Sequence, residues 1–331
     1  MHDPHLPLLE LHRHLSGSIR PQTILALGRQ HNIPLPSDDV AGLLPHVQVV
    51  GTVPDLIAFL AKIKLASTVL ANVDACRRIA YEAIEDAHHE GIAYIELRFS
   101  AQFLANPHHL PQEAVIEAVI DGVQSAVRAF GIKVKLIGVL SRTLGPAACL
   151  AAVEALLRYR DHLVALDLAG DEANWPGHLF IEHFRKARDA GWQITIHAGE
   201  AGGAANVRQA LAELGATRLG HATNAIHDPA LLDLMGERGI GIEANLTSNI
   251  QTSTVPNLAS HPLRHFLDRG LLATINTDDP QISGIDLPHE LQVAAPQAGL
   301  TPAQIHQAQQ NALAIAFLTP AEKETLKAAA I

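Results

Sequence analysis

The chain has few cysteines, fewer basic than acidic residues and no long apolar run, and each shortage removes a class of function. Its 331 residues include two cysteines, Cys76 and Cys149. Two thiols cannot build a disulfide framework or a four-cysteine zinc site. Lys and Arg number 24 against 34 Asp and Glu, a formal charge of -10. That balance argues against a nucleic-acid backbone or an anionic membrane surface as partner, since both reward clustered Lys and Arg. No stretch approaches the roughly 18 uninterrupted apolar residues of a membrane helix. The N-terminal segment carries no basic leader, and Asp3 and Glu10 interrupt its apolar positions, so no secretory signal is expected. The expected compartment is the cytoplasm, where free thiols stay reduced. Charged residues make up 18% and hydrophobic ones 48%, which excludes disorder and predicts a large buried core.

Histidine, by contrast, is abundant, with 20 residues. It is the commonest metal ligand and titrates nearest neutral pH, so its placement matters more than its number. Strand-like runs are expected at 8–12, 92–99, 133–140, 163–168, 192–196, 217–220, 240–244 and 271–276. Helical patterns lie between them, at 21–31, 55–68, 74–90, 111–130, 146–159, 176–190, 202–214, 228–238 and 261–269, and again from 287 onward. Gly191 and Gly239 are stop signals after two of these helices. Strands alternating with helices define the α/β class and a parallel sheet. Eight such units in one chain favour a closed (β/α)8 TIM barrel. The expected architecture is one domain over 1–331, with extra helices inserted after the first strand and a helical C-terminus.

In such barrels the chemistry sits at the C-terminal ends of the strands. The first strand ends in His12-Arg13-His14, the fifth in His197-Ala198-Gly199-Glu200, the sixth in Gly220-His221 and the eighth in Asn276-Thr277-Asp278-Asp279. Strand side chains alternate faces, so His12 and His14 point one way and Arg13 the other. A His-x-His pair alone is often an ordinary surface feature. With His197 and Asp278 at other strand ends it becomes a converging set of three imidazoles and a carboxylate. Zinc takes those donors and keeps a position for water. The cysteines lie outside any Pro-Cys-x-x-Cys motif, which excludes the zinc centre built on that motif with His-x-Glu. The segment 163–170 has no lysine, which disfavours a two-metal barrel bridged by a carboxylated lysine. Glu96 and Arg98 share a face of the second strand and are expected to form a structural ion pair. Arg142, ending the third strand, either contacts substrate or braces the rim.

These residues resemble the adenosine deaminase family of the amidohydrolase superfamily. The resemblance runs through Glu10-Leu11-His12-Arg13-His14-Leu15, Glu96-Leu97-Arg98-Phe99-Ser100, Asp167-Leu168-Ala169-Gly170-Asp171-Glu172, Thr195-Ile196-His197-Ala198-Gly199-Glu200, Arg218-Leu219-Gly220-His221, Thr247-Ser248-Asn249 and Asn276-Thr277-Asp278-Asp279-Pro280. It implies one Zn2+ per chain on His12, His14, His197 and Asp278, and a small-molecule purine nucleoside as substrate. Glu200 would donate a proton to the purine ring. His221 would orient and help deprotonate the attacking water, and Asp279 would hold that water. Gly170 would bring its backbone close to the base. His14, Ser16, Gly170, Asp279 and Arg142 would line the substrate side. The bland alternatives are a helix N-terminal acid for Glu200, a backbone-satisfied core histidine for His221 and a cap before Pro280 for Asp279.

The chain departs from the family pattern at three places. Ser16 stands where an acid usually receives the ribose 5′-hydroxyl, Glu243-Ala244-Asn245-Leu246 where Cys-Pro is usual, and Ala222 where glycine is usual. Ser16 makes a weaker bond to that hydroxyl and leaves room for a larger 5′ group. Adenosine or deoxyadenosine is therefore the default substrate. A 5′-modified adenosine such as aminodeoxyfutalosine comes second and free adenine third. A catalytically inactive nucleoside-binding protein is the reading from a different class.

Overall fold

The protein is described by a computed structural model over residues 3–329. Met1, His2, Ala330 and Ile331 of the expected 1–331 domain lie outside the described residues. Eight strands follow one another around a single parallel sheet: β1 Leu8–His14, β2 Ile92–Phe99, β3 Lys133–Ser141, β4 Leu163–Ala169, β5 Gln193–Ala198, β6 Arg218–His221, β7 Gly241–Ala244 and β8 Leu272–Ile275. The ring closes just beyond β8. There the Asp278 N–H donates to the His12 carbonyl at 2.8 Å, and the His14 N–H donates to the Asp278 carbonyl at 2.8 Å. The closing contact is therefore made by the same residues that the sequence nominates as ligands. Each strand is largely buried because helices cover its outer face and side chains fill the interior.

All eight expected strands form, several extended by one or two residues; β1 runs through His14. The helical insertion after β1 contains Pro21–Gln30, Val40–Val47, Leu56–Ser67 and Val73–His89. Besides the short Ala101–Ala105 and Pro280–Ser283, two more helices were not foreseen. Val40–Val47 contains Gly42 and Pro45, which disguise its period, but the Asp39 carboxylate caps it by accepting the Gly42 N–H at 2.7 Å. Leu246–Gln251, directly after β7, is short and polar. The expected helix at 176–190 breaks into a 3₁₀ turn, Gly177–Phe180, and an α-helix, Ile181–Asp189.

The barrel interior is charged near its floor, and here one expectation is corrected. Glu96 and Arg98 do not pair with each other. Arg98 donates to Asp167 at 2.8 Å and to Glu243 at 2.6 Å, while Glu96 accepts from Arg218 and from the Tyr94 hydroxyl. Residues two apart on a strand share a face but stand nearly 7 Å apart along it. Each therefore finds a nearer partner across the barrel.

Candidate metal and catalytic centre

The strand ends bring five ligand-type side chains together. The His12 Nδ1–H donates to the Glu243 carboxylate at 2.6 Å, so the lone pair of a neutral His12 lies on Nε2. That Nε2 is buried, has no hydrogen-bond partner among the described residues and lies 3.2 Å from Asp278 Oδ1. The His197 Nδ1–H likewise donates to Asp167, at 3.0 Å, and its Nε2 faces His14 Nε2 at 3.1 Å. His14 Nε2 stands 3.3 Å from Asp278 Oδ1. Burial pushes both His14 and His197 below the ordinary histidine range, so both are held in the neutral, ligating form. The Ser248 hydroxyl donates to Asp278 Oδ2 at 2.7 Å and orients the carboxylate.

Lone pairs and a carboxylate oxygen converging at such distances are what a cation satisfies, so the residues fit a metal ion. His12, His197, His221 and Asp278 also each offer a ligand atom within 4.8 Å of the others. The structure thus brings His221 to the edge of the set that the sequence drew with His14.

His221 is held differently. Its Nδ1 lies 2.8 Å from Asn249 Nδ2 and 3.2 Å from Asn245 Nδ2, and its Nε2 stands 3.7 Å from Glu200 and 3.8 Å from Asp278. Its partners are side-chain amides rather than the backbone. Glu200 is 6% exposed. Burial, reinforced by Asp278 and Glu172, pushes its carboxyl well above the ordinary range and so favours its protonated form. It is not a helix N-terminal acid, because the next helix starts at Ala204. Its loop is clamped from two sides. Glu172 accepts the Gly199, Glu200 and Gly202 N–H groups at 2.7, 3.1 and 2.9 Å. The Asn224 amide donates to the carbonyls of the same three residues.

Asp279 starts the turn at Pro280 but makes no side-chain cap there. It is buried, its Oδ1 has no partner among the described residues, and burial next to Asp278 and Glu200 pushes it well above the carboxylate range. Gly17 is the residue that admits it: a Cβ at Gly17 would sit 1.7 Å from Asp279 Oδ1.

These groups open on one cavity of about 740 Å³. His14, Ser16, Gly170, His197, Glu200, His221, Asp278 and Asp279 all line it. Its outer wall is apolar, with Leu56, Phe59, Leu60 and Ile63 from the inserted helix Leu56–Ser67. Gly170 has φ +104, and a Cβ there would stand 2.8 Å from Thr143 Oγ1. Ser16 makes no side-chain hydrogen bond among the described residues. Arg142 points elsewhere. Its guanidinium donates to the His197 carbonyl at 2.6 Å and to the Leu168 and Trp175 carbonyls at 3.2 Å. Of its two readings, these contacts fit the rim brace rather than the substrate contact.

Sequence reasoning missed Asp167, Glu243, Glu172, Asn224, Asn245 and Asn249 as supports, and Gly17 as the space for Asp279. Five of the seven sit inside motifs already quoted or departures already noted, where a buried acid or amide within an apolar run was the available signal.

The fold and the site define a parallel (β/α)8 barrel with a histidine–carboxylate cluster able to hold a metal at its C-terminal mouth. A sequence profile described as adenosine deaminase matches residues 7–330. An adenosine deaminase of Edwardsiella ictaluri is 57% identical over 327 residues, covering 99% of this chain and 98% of that protein. One of Escherichia coli O1:K1 matches to the same extent. Among solved structures, a zinc-bound amidohydrolase of Burkholderia ambifaria superposes with TM-score 0.90 at 27% identity, covering 99% of this chain and 90% of that one. An adenine deaminase of Arthrobacter aurescens superposes with TM-score 0.91 at 23% identity, covering 98% of each; it speaks for the fold. The chain belongs to the adenosine deaminase family, within the amidohydrolase superfamily.

Proposed function

We propose that this single-domain chain is a zinc-dependent aminohydrolase acting at C6 of adenosine or 2′-deoxyadenosine. The balanced reaction takes up one water and yields inosine or deoxyinosine and ammonia. The observation that carries this reading is the pairing of two opposed chemistries on one wall. The neutral imidazoles of His14 and His197 stand beside a carboxyl, Glu200, that burial drives toward its protonated form. A metal-assisted addition that must also protonate a ring nitrogen needs both.

His12, His14, His197 and Asp278 would hold the zinc. When bound, it supplies a nucleophilic water at neutral pH by lowering that water's pKa to about 7. Glu200 gives its proton to the purine N1 as C6 becomes tetrahedral, which neutralises the charge that loss of aromaticity places on the ring. Asp279 accepts a hydrogen bond from the attacking water through its unpartnered Oδ1. His221 holds the oxygen in line with C6. Gly170 lets the base lie against its backbone, and the apolar wall from Leu56–Ser67 excludes solvent. Nothing in this set needs a nucleic acid or a membrane, and among the described residues no helix is long and apolar enough to cross one. The cytoplasm suits its two free, buried thiols.

Metal analysis of the purified protein and ammonia release from adenosine test this reading. The expected results are one equivalent of zinc and turnover that Glu200→Gln lowers by roughly 10²- to 10⁴-fold. Unchanged activity in that variant sinks the proton-donor assignment, and absence of turnover on every adenine compound favours the inactive binding protein. The intact donor set argues against that alternative.

One observation favours a second substrate. Ser16 offers the ribose end a neutral hydroxyl with no partner of its own, so a 5′-modified adenosine is accommodated without charge repulsion. A panel of adenosine, 5′-substituted adenosines and adenine separates the readings. Adenosine outrunning every 5′-modified analogue by a wide margin would exclude the second.

A further inference from the structure

The site's histidines come in two opposite tautomers, and a chain of hydrogen bonds whose directions can be followed sets the second one. Its first donor is unambiguous. The Leu263 backbone N–H donates to His261 Nδ1 at 3.1 Å, so that nitrogen is an acceptor. His261 is 4% exposed, and burial lowers its pKa to about 3. It is therefore neutral, with its single ring proton on Nε2. That proton meets Asn249 Oδ1 at 3.1 Å. The Asn249 amide is thereby oriented with its NH2 toward His221, donating to His221 Nδ1 at 2.8 Å. Asn245 Nδ2 adds a weaker donor to the same atom at 3.2 Å. With Nδ1 accepting, the proton of a neutral His221 sits on Nε2, the atom that faces the cavity.

We propose that Asn249 and His261 are positioning residues that lock His221 as the Nε2–H tautomer. His221 thus presents a hydrogen-bond donor to the attacking oxygen and stays out of the metal's ligand set. The proposal rests on reading His221 as part of the deaminase site and deepens that reading. It separates His221 from His12 and His197, whose Nδ1–H groups are fixed by carboxylates and whose Nε2 atoms are bare. It also decides between His14 and His221 as the third imidazole ligand, because a nitrogen that carries hydrogen has no lone pair to give. In the bound state His221 begins as a donor that holds the oxygen, not as the base that takes its proton.

Histidine-selective 15N labelling of the metal-loaded protein reads the tautomer directly through long-range proton–nitrogen spectra, with His221→Gln to assign the signals. The parent is expected to show His221 as Nε2–H and His12 and His197 as Nδ1–H. In His261→Leu the Asn249 amide is free to flip. The spectrum should then show mixed tautomers for His221, and kcat should fall roughly tenfold with KM within about twofold. His261→Gln, which keeps a donor at the same reach, should restore the parent tautomer and kcat. A parent spectrum with Nδ1–H on His221 overturns the proposal, as does His261→Leu with unchanged tautomer and kcat. If His261→Leu does not fold, the parent spectrum alone decides. Failure to deaminate any adenine compound would instead leave the tautomer standing and sink the deaminase reading.

Discussion

The two sides of the barrel mouth hold histidine by opposite means. On the β1 and β5 side, His12 and His197 sit on strands and each gives its Nδ1–H to a buried carboxylate, Glu243 or Asp167. Those carboxylates are charged because Arg98 and Arg218 hold Glu243 well below its ordinary range against the upward push of burial, and Arg98 also contacts Asp167. On the β6 and β7 side, His221 takes hydrogen bonds from amides, with no carboxylate behind its Nδ1 among the described residues. A carboxylate behind an imidazole makes it a better electron donor to a cation. An amide donor behind it leaves it a neutral hydrogen-bond donor. One residue type thus serves two chemistries within 5 Å of ring separation, since the His12 and His221 ring centres are 5.0 Å apart.

Removing a ligand tests the carboxylate side most severely. His197→Ala and Asp278→Ala should each lose both the metal and the activity, measured by metal content and ammonia release. Full zinc occupancy in both variants would remove them from the ligand set. Glu243→Gln should have the next largest effect. That carboxylate receives His12, Arg98, Thr195 and Arg218. Neutralising it leaves two buried guanidinium groups undercompensated, a cost of about 3–5 kcal/mol, and should weaken metal binding by roughly 10- to 100-fold. Urea unfolding with and without added zinc separates the two effects. A variant as stable as the parent and equally tight for zinc would contradict the account.

The amide side should answer to pH through Glu290. This buried acid accepts the Thr247 N–H and hydroxyl and so anchors the start of helix Leu246–Gln251, which carries Ser248 and Asn249. Burial raises its pKa to about 7 from the ordinary 4.5. The folded protein thus keeps a proton that the unfolded chain gives up. Its stabilising contribution is complete below about pH 4.5 and is lost as pH rises through about 7, a change of about 3 kcal/mol. Glu290→Gln should remove that slope. The difference in urea midpoint between parent and variant, measured from pH 5 to 8, should shift steadily up to about pH 7 and then level off. A difference independent of pH would show that Glu290 is ionised throughout.

The comparison also explains what the sequence could and could not disclose. His12, His14, His197, Asp278 and Glu200 were legible because polar residues that end apolar strands announce themselves in one dimension. Their supports were not. The partner of His12 lies 231 residues away, at Glu243, where it read only as a departure from a family pattern. Asp167 is one acid inside an apolar strand, and nothing local says whom it faces. Asn249 was quoted in a motif, but its helix was not expected, and His261 lies in a connection beyond it. The failed Glu96–Arg98 pairing has the same origin: sharing a face in sequence does not choose between a neighbour along the strand and one across the barrel.

The smallest effect should come from Ala222, and it bears on how the backbone sets His221 apart. His221 and Ala222 both have left-handed backbones, with φ of +62 and +53. His12 and His197 do not share this feature, because they lie on extended strand. A side chain in that region costs about 1–2 kcal/mol, which explains why a glycine is the natural residue after this histidine. Ala222 is fully buried but is absent from the cavity wall. Ala222→Gly relieves the backbone and gives up one buried methyl, worth about 0.8 kcal/mol. The net expectation is a stabilisation of less than about 1 kcal/mol with kcat unchanged, read from the urea midpoint and from ammonia release. If the variant is instead destabilised by more than that, the methyl's packing outweighs the backbone strain. A fall in kcat would show that Ala222 helps hold the His221 ring, alongside Asn249 and His261.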